Sequence, residues 1–114
     1  MPRTQTKTTP ALRRARLIDA LRNEMPAGYT WDFSQAWDDS GFRGCAVGLA
    51  ALMWPSLRRA HRGCVIRDFS KLLGLNEDQA FHVVGRDRGS HFDRTPAASI
   101  TPAMVADALE ALDR

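Results

Sequence analysis

Cysteine is scarce in this sequence, which contains only Cys45 and Cys64 among its 114 residues. Two thiols are too few for the disulfide framework that small secreted domains require. One Cys45–Cys64 bridge is the alternative to reduced thiols in a cytoplasm, which are the simpler interpretation. The longest uncharged run, 44–57, is too short to cross a bilayer, and the N-terminus lacks the apolar stretch of a signal peptide. We therefore expect a cytoplasmic protein that makes no membrane contact.

Lysine is also scarce, so arginine carries most of the positive charge. Lys7 and Lys71 are the only lysines among 16 basic residues, and the net charge is +3. The cations concentrate in residues 1–31 and 43–71, whereas residues 32–42 contain three acids and no cation. Arginine matches phosphate and carboxylate groups better than lysine does, although a GC-rich genome produces the same bias.

The rest of the composition is that of one soluble globular domain, with 44% hydrophobic and 25% charged residues. Residues 1–9 are predicted to form a flexible basic tail, and residues 10–114 a single helical domain. The fold class predicted is mainly α: a compact bundle of about five mostly short helices, with at most a minor two-stranded β element.

Local patterns predict where several helices begin. A capping residue followed by proline occurs at Thr9-Pro10 and again at Thr101-Pro102. Asn76, with a glutamine three residues later, has the pattern of a capping box. These positions predict the starts of the first helix, of a short helix after residue 75, and of the last helix.

The middle of the chain predicts a strand followed by a buried helix. Residues 29–33 alternate aromatic and polar side chains, which is typical of a short strand. A polar arm within residues 86–98 is the candidate strand to pair with it. An apolar central helix is predicted over residues 42–54, ended by Pro55, and its lack of charge indicates a helix surrounded by other elements.

Cys45, at the start of that central helix, supports two interpretations. A thiol near a helix N-terminus can be a nucleophile, and His91 with Asp93 would then complete a small cysteine amidohydrolase or transferase. The other interpretation is packing, because small residues recur at helical spacing and let a neighbouring backbone come close. The residues with this spacing are Gly44, Cys45, Gly48 and Ala51. Packing is the favoured interpretation.

A metal site is a weaker hypothesis. His61 and Cys64 have a spacing that suits a zinc ligand pair, and Cys45 with His91 would complete four ligands. Structural zinc sites usually contain two close pairs, whereas this sequence contains one. We therefore predict neither a metal nor a cofactor.

Nucleic acid is a further candidate partner. Arginines recur in two segments whose side chains can contact phosphates. The residues predicted for this contact are Arg13, Arg16, Arg58, Arg59 and Arg62. No helix-turn-helix or RNA-binding signature can be placed on these segments, so a solvated basic face remains the alternative.

The segment from Trp31 to Asp39 is the leading candidate for a partner-binding surface. Tryptophan beside charged residues outside a helix is typical of an interaction hot spot, and the residues chosen here are Trp31, Trp37, Asp38 and Asp39. A second surface is predicted at Arg58, Arg59 and Arg62. The alternative is that the two tryptophans cover the end of the central helix as a lid.

Four segments together resemble a pattern found in small bacterial and phage proteins. The segments read W-D-F-S-x-x-W, G-C-A-V-G-L-A, D-F-S-K-L-L-G-L-N-E-D-Q-A-F and I-T-P-A-M-V-A-D-A-L. Those proteins share a Cys-x-x-Gly core helix, an LGL turn and a terminal helix introduced by Thr-Pro. The resemblance implies a compact helical fold and a phage or mobile-element setting, and it implies no activity.

These observations lead to one functional hypothesis. We expect a non-enzymatic interaction module that binds a host protein or ribonucleoprotein, because no phosphate loop, acid pair or triad is evident beside the tryptophan-acid segment. An inhibitor of a bacterial defence system, similar to an anti-CRISPR protein, is one concrete form by analogy. The cysteine enzyme and the nucleic-acid-binding protein remain alternatives.

Overall fold

The computed structural model describes residues 9–59, 65–85 and 90–112. Its elements in chain order are α1 (Pro10–Arg22), β1 (Thr30–Trp31), β2 (Arg43–Gly44), α2 (Ala46–Met53), α3 (Ser56–Arg59), α4 (Val65–Leu73), α5 (Glu77–Val84), a 3-10 turn (Ala97–Ser99) and α6 (Pro102–Ala111). Within these ranges, five helices have eight residues or more and α3 is a single turn. The predicted fold class, mainly α with a minor two-stranded sheet, is confirmed.

The helices begin where the capping patterns predict. The Leu12 amide donates to the Thr9 hydroxyl (3.1 Å), and Thr101 caps α6 in the same way. Asn76 and Gln79 form the predicted capping box of α5. Each cap satisfies amides that have no partner in the first turn of a helix, so short polar side chains fix these boundaries.

The sheet pairs β1 with a segment that the sequence assigned to the central helix. β1 pairs in parallel with β2, so that Thr30 is opposite Arg43 and Trp31 is opposite Gly44. Within the described part of the expected arm, residues 90–98, no strand pairs with β1, and residues 86–89 lie outside the described residues. Because residues 43–44 are extended, the central helix starts at Ala46 and not at residue 42 as predicted.

The core is built around α2. Every residue from Ala46 to Ala51 is buried, and α1, α3 and α4 all pack against this helix. Buried side chains from the other helices, among them Leu17, Phe69 and Leu109, belong to the same cluster. The apolar composition of α2 is thus explained by its position, as predicted. Over the described ranges, no helix is both long and apolar enough to cross a membrane.

A candidate protein-docking loop

The chain between β1 and α2 wraps closely around the start of α2. The Cys45 amide donates to the Gln35 carbonyl (2.9 Å), and the buried Tyr29 hydroxyl donates to the Cys45 carbonyl (2.7 Å). A Cβ atom on Gly44 or on Gly48 would overlap the carbonyl oxygen of Ala36. The predicted role of the small residues, to let a neighbouring backbone come close, is therefore confirmed at both glycines.

Asp32 organises the first half of this segment. Its carboxylate accepts hydrogen bonds from Ser34, through both the amide (3.0 Å) and the hydroxyl, and from the Gln35 side chain (2.9 Å). Arg43 Nε adds an ion pair at 3.1 Å. Hydrogen bonds from Ser34 and Gln35 are the main reason why the pKa of Asp32 lies well below its usual range. This carboxylate therefore holds a turn together.

Asp38 organises the second half in the same way. Its carboxylate accepts from the Ser40 amide (3.0 Å), the Ser40 hydroxyl (2.6 Å) and the Gly41 amide (3.1 Å). These bonds, first of all that from the Ser40 hydroxyl, lower the pKa of Asp38. The Asp38 amide donates to the Arg43 carbonyl (2.9 Å), which closes the turn. Residues 38–43 are called the 38–43 loop below.

Phe42 is the exposed aromatic side chain of the 38–43 loop. Its side chain is 49% exposed, although its backbone is held on both sides. The Phe42 amide donates to the Ser40 hydroxyl (3.0 Å), and the Phe42 carbonyl accepts from the Thr30 amide (2.7 Å). The sequence did not reveal this residue as a site candidate, because Phe42 was assigned to the start of a buried helix.

The two predicted tryptophans lie at the edge of the core. Trp31 and Trp37 are half-buried and pack against the core cluster, and Trp31 Nε1 donates to the Ile100 carbonyl (2.7 Å). Both residues therefore contribute to packing. Asp39, by contrast, is exposed on the 38–43 loop, as are Ser40, Phe42 and Arg43. The exposed charged and aromatic side chains of this loop are thus Asp39, Phe42 and Arg43.

Cys45 caps α2 from inside the protein. The residue is 4% exposed, and its sulfur accepts from the Val47 amide (3.4 Å). Burial raises the pKa of the Cys45 thiol and outweighs the backbone hydrogen bonds that lower it. The helix N-terminus therefore favours the thiolate, but burial disfavours it more strongly. Cys45 is a free thiol in this structure.

The predicted catalytic partners of Cys45 are His91 and Asp93, and the contacts of His91 are made with other residues. The His91 ring packs edge-to-face on the His82 ring (5.4 Å between centroids) and on the Phe92 ring (4.6 Å). Among the described residues, no hydrogen bond joins Cys45 to His91 or to the exposed Asp93. The contacts of the described thiol therefore agree with the packing interpretation.

The remaining predicted site residues divide between described and undescribed parts of the chain. Arg62, His61 and Cys64 lie outside the described residues. Arg58 and Arg59 belong to α3. Across the described ranges, no three His, Cys, Asp or Glu side chains are grouped so that they could hold a metal ion.

Two predicted nucleic-acid contacts lie on α1 and differ in their surroundings. Arg13 is half-buried, and its Nε donates to the Leu72 carbonyl (2.6 Å), so part of its hydrogen-bonding capacity caps the end of α4. Arg16 is exposed. Of these two arginines, Arg16 thus has the side chain directed more fully to solvent.

In comparisons with known proteins, no family model, no curated protein and no solved structure matches this chain. The resemblance to small bacterial and phage proteins therefore stays a prediction. Function has to be inferred from the geometry of the 38–43 loop and from the distribution of charge.

Proposed function

We propose that this protein is a non-enzymatic interaction module that binds a host protein or ribonucleoprotein through the 38–43 loop. The observation that carries the proposal is Phe42, an aromatic side chain held out from a backbone that is hydrogen-bonded on both sides. Asp39 and Arg43 flank it with charges of opposite sign. The proposed partner surface is an apolar pocket with a polar rim.

The hydrogen-bonded backbone of the 38–43 loop distinguishes Phe42 from an ordinary exposed apolar residue. Single exposed apolar side chains are common on protein surfaces and need no explanation. A binding loop, however, loses less conformational entropy when its bound shape already exists in the free protein. Turns built by the Asp32 and Asp38 carboxylates supply that order for the backbone, and phenylalanine is among the aromatic residues enriched in protein interfaces.

The environment of Cys45 weighs against the cysteine enzyme. A catalytic thiol needs an accessible, stabilised thiolate, whereas Cys45 is buried and its pKa is raised. The phage or mobile-element setting implied by the resemblance suits a small binding protein. Inhibition of a bacterial defence system, in the manner of an anti-CRISPR protein, is the concrete form that we propose.

Affinity capture with matched variants tests the proposal. The immobilised protein is incubated with lysate of a bacterium that carries an active CRISPR–Cas system, and retained proteins are identified by mass spectrometry. We expect Phe42→Ala to lose a partner that the wild type retains. Phe81→Ala is the control, because Phe81 is 43% exposed on α5 and lies outside the loop.

The two variants distinguish a loop-specific partner from general adhesion. Equal retention by the wild type and Phe42→Ala, or equal losses in both variants, would contradict docking through the loop. Circular dichroism of each variant checks that the fold is intact. A plaque assay on the same strain then asks whether the captured partner belongs to its defence: the wild type should raise the plaque count and Phe42→Ala should not.

A further inference from the structure

Three helices that pack together concentrate the positive charge of the described residues. α1 and α3 both pack against α4. Together these helices contain eight basic residues and two acids. The basic residues are Arg13, Arg14, Arg16 and Arg22 on α1, Arg58 and Arg59 on α3, and Arg67 and Lys71 on α4. In contrast, α5 and α6 contain four acids and neither lysine nor arginine.

Packing of the helices accounts for some of these cations. Arg13 and Arg14 each donate through Nε to a carbonyl at the end of α4, where positive charge stabilises the helix terminus. Arg22 pairs with Asp107 and Glu110 on α6 (2.7 and 3.0 Å). These three arginines thus have a structural task that holds α1 against α4 and α6.

Other cations of the same helices have no such task. Arg16, Arg67 and Lys71 are exposed, and within the described residues none of them forms an ion pair. Arg67 and Lys71 are four residues apart on α4, so they share one face of that helix. We refer to the three exposed cations Arg16, Arg67 and Lys71 as the basic face.

We propose that the basic face binds the phosphate backbone of a double-stranded nucleic acid without reading its sequence. Arginine forks match phosphate geometry. The three helices carry one aromatic residue, Phe69, and it is fully buried, so these helices offer no stacking platform for unpaired bases. A duplex presents its phosphates outside the stacked bases, which suits such a surface. This inference is independent of docking by the 38–43 loop.

Fluorescence anisotropy of the full chain with labelled 20-base-pair DNA and RNA duplexes tests the proposal. Each neutralised phosphate contributes about −0.9 to the slope of log K against log salt concentration. The three exposed, described cations alone then predict a slope of roughly −3 and about a 40-fold loss of affinity between 50 and 200 mM NaCl. Matched single strands should bind more weakly than either duplex.

Two charge reversals of equal size locate the binding surface. Arg67→Glu lies on the basic face, and Arg94→Glu reverses an exposed arginine outside α1, α3 and α4. We expect Arg67→Glu to weaken binding about tenfold and to flatten the salt slope, whereas Arg94→Glu changes the affinity less than twofold.

Several results would overturn the proposal. They are an absence of duplex binding at 50 mM NaCl, a salt-independent affinity, equal losses in both variants, or tighter binding to single strands. Binding to vesicles of anionic phospholipid without binding to duplexes would also overturn it. Phe42→Ala should bind duplexes like the wild type. The duplex measurements therefore test the basic face independently of docking through the 38–43 loop.

Discussion

At the scale of single residues, the reactivity of the Cys45 thiol distinguishes the binding-module hypothesis from the cysteine-enzyme hypothesis. We expect its thiol to resist iodoacetamide in the folded protein, because the side chain is 4% exposed and burial raises its pKa. Alkylation requires the thiolate and access to it, so the folded protein should react roughly 100-fold more slowly than the urea-unfolded chain. Mass spectrometry of timed samples measures both rates.

The measurement is made in a Cys64→Ser background, so that Cys45 is the only thiol. A free-cysteine peptide provides the reference rate for an unprotected thiol. If Cys45 in the folded protein reacts as fast as this reference, or faster, the thiol is accessible and activated. The cysteine-enzyme hypothesis would then replace the packing interpretation.

The same residues show how far a sequence can predict a site. The packing role of Cys45 followed from the spacing of Gly44 and Gly48, because steric fit depends on residue size and helical period. The exposure of Phe42 did not follow, since it depends on a turn built by Asp38 and on a strand pair formed with Thr30. The Asp38 turn is local, but the pairing of Thr30 with Phe42 is a tertiary contact that leaves no local pattern.

At the scale of elements, close packing of α2 against the preceding segment makes Gly48 sensitive to substitution. Gly48→Ala would place a Cβ atom against the Ala36 carbonyl and within 2.7 Å of the Tyr29 hydroxyl. We expect the free energy of unfolding to fall by about 3 kcal/mol, since overpacking typically costs this much. Urea denaturation followed by circular dichroism gives the value.

Gly28→Ala is the matched control for this substitution. Gly28 has no neighbouring atom within 4 Å of its Cβ position, and its φ of 86° is the only source of strain. A left-handed backbone costs alanine about 1 kcal/mol. If Gly48→Ala lowers the free energy of unfolding no more than Gly28→Ala does, the backbone at Ala36 moves to accommodate the added Cβ atom and the expected overpacking is absent.

Helix boundaries and strand pairing differ in how well a sequence specifies them. Asn76 and Thr101 predict where their helices begin, because a helix cap depends only on residues within one turn of each other. Alternation in residues 29–33 predicted β1, whereas β2 has two residues, too few for an alternating pattern to emerge. Their pairing depends on the turns at Asp32 and Asp38, so a prediction from local periodicity assigned residues 43–44 to the helix.

At the scale of the whole molecule, the chain carries two surfaces of different chemistry. The 38–43 loop offers an exposed aromatic side chain on a hydrogen-bonded backbone, and the basic face offers cations from α1 and α4. A ribonucleoprotein presents both protein and nucleic acid to a binding partner. If both proposals hold, such a particle would engage the two surfaces together, and two weak contacts would then act as one stronger interaction.

Stability of the whole molecule should be limited at both ends of the pH scale by buried or hydrogen-bonded groups. The pKa of Asp38 is lowered in the fold, so the unfolded chain takes up a proton first as pH falls. Stability from this group is present above about pH 4 and is lost below it. Burial raises the pKa of Tyr29 and of Cys45, so the unfolded chain releases their protons first as pH rises.

Urea midpoints measured from pH 2 to pH 11 test these limits. We expect a plateau between about pH 4 and pH 8.5, with the alkaline fall beginning near the ordinary pKa of cysteine and steepening above about pH 10, that of tyrosine. Asp38→Asn should flatten only part of the acid limb, because the pKa of Asp32 is lowered as well. Tyr29→Phe should flatten the limb above pH 10, although removing the hydroxyl that bonds the Cys45 carbonyl lowers the plateau. An alkaline limb of equal slope in Tyr29→Phe would mean that other groups limit stability there.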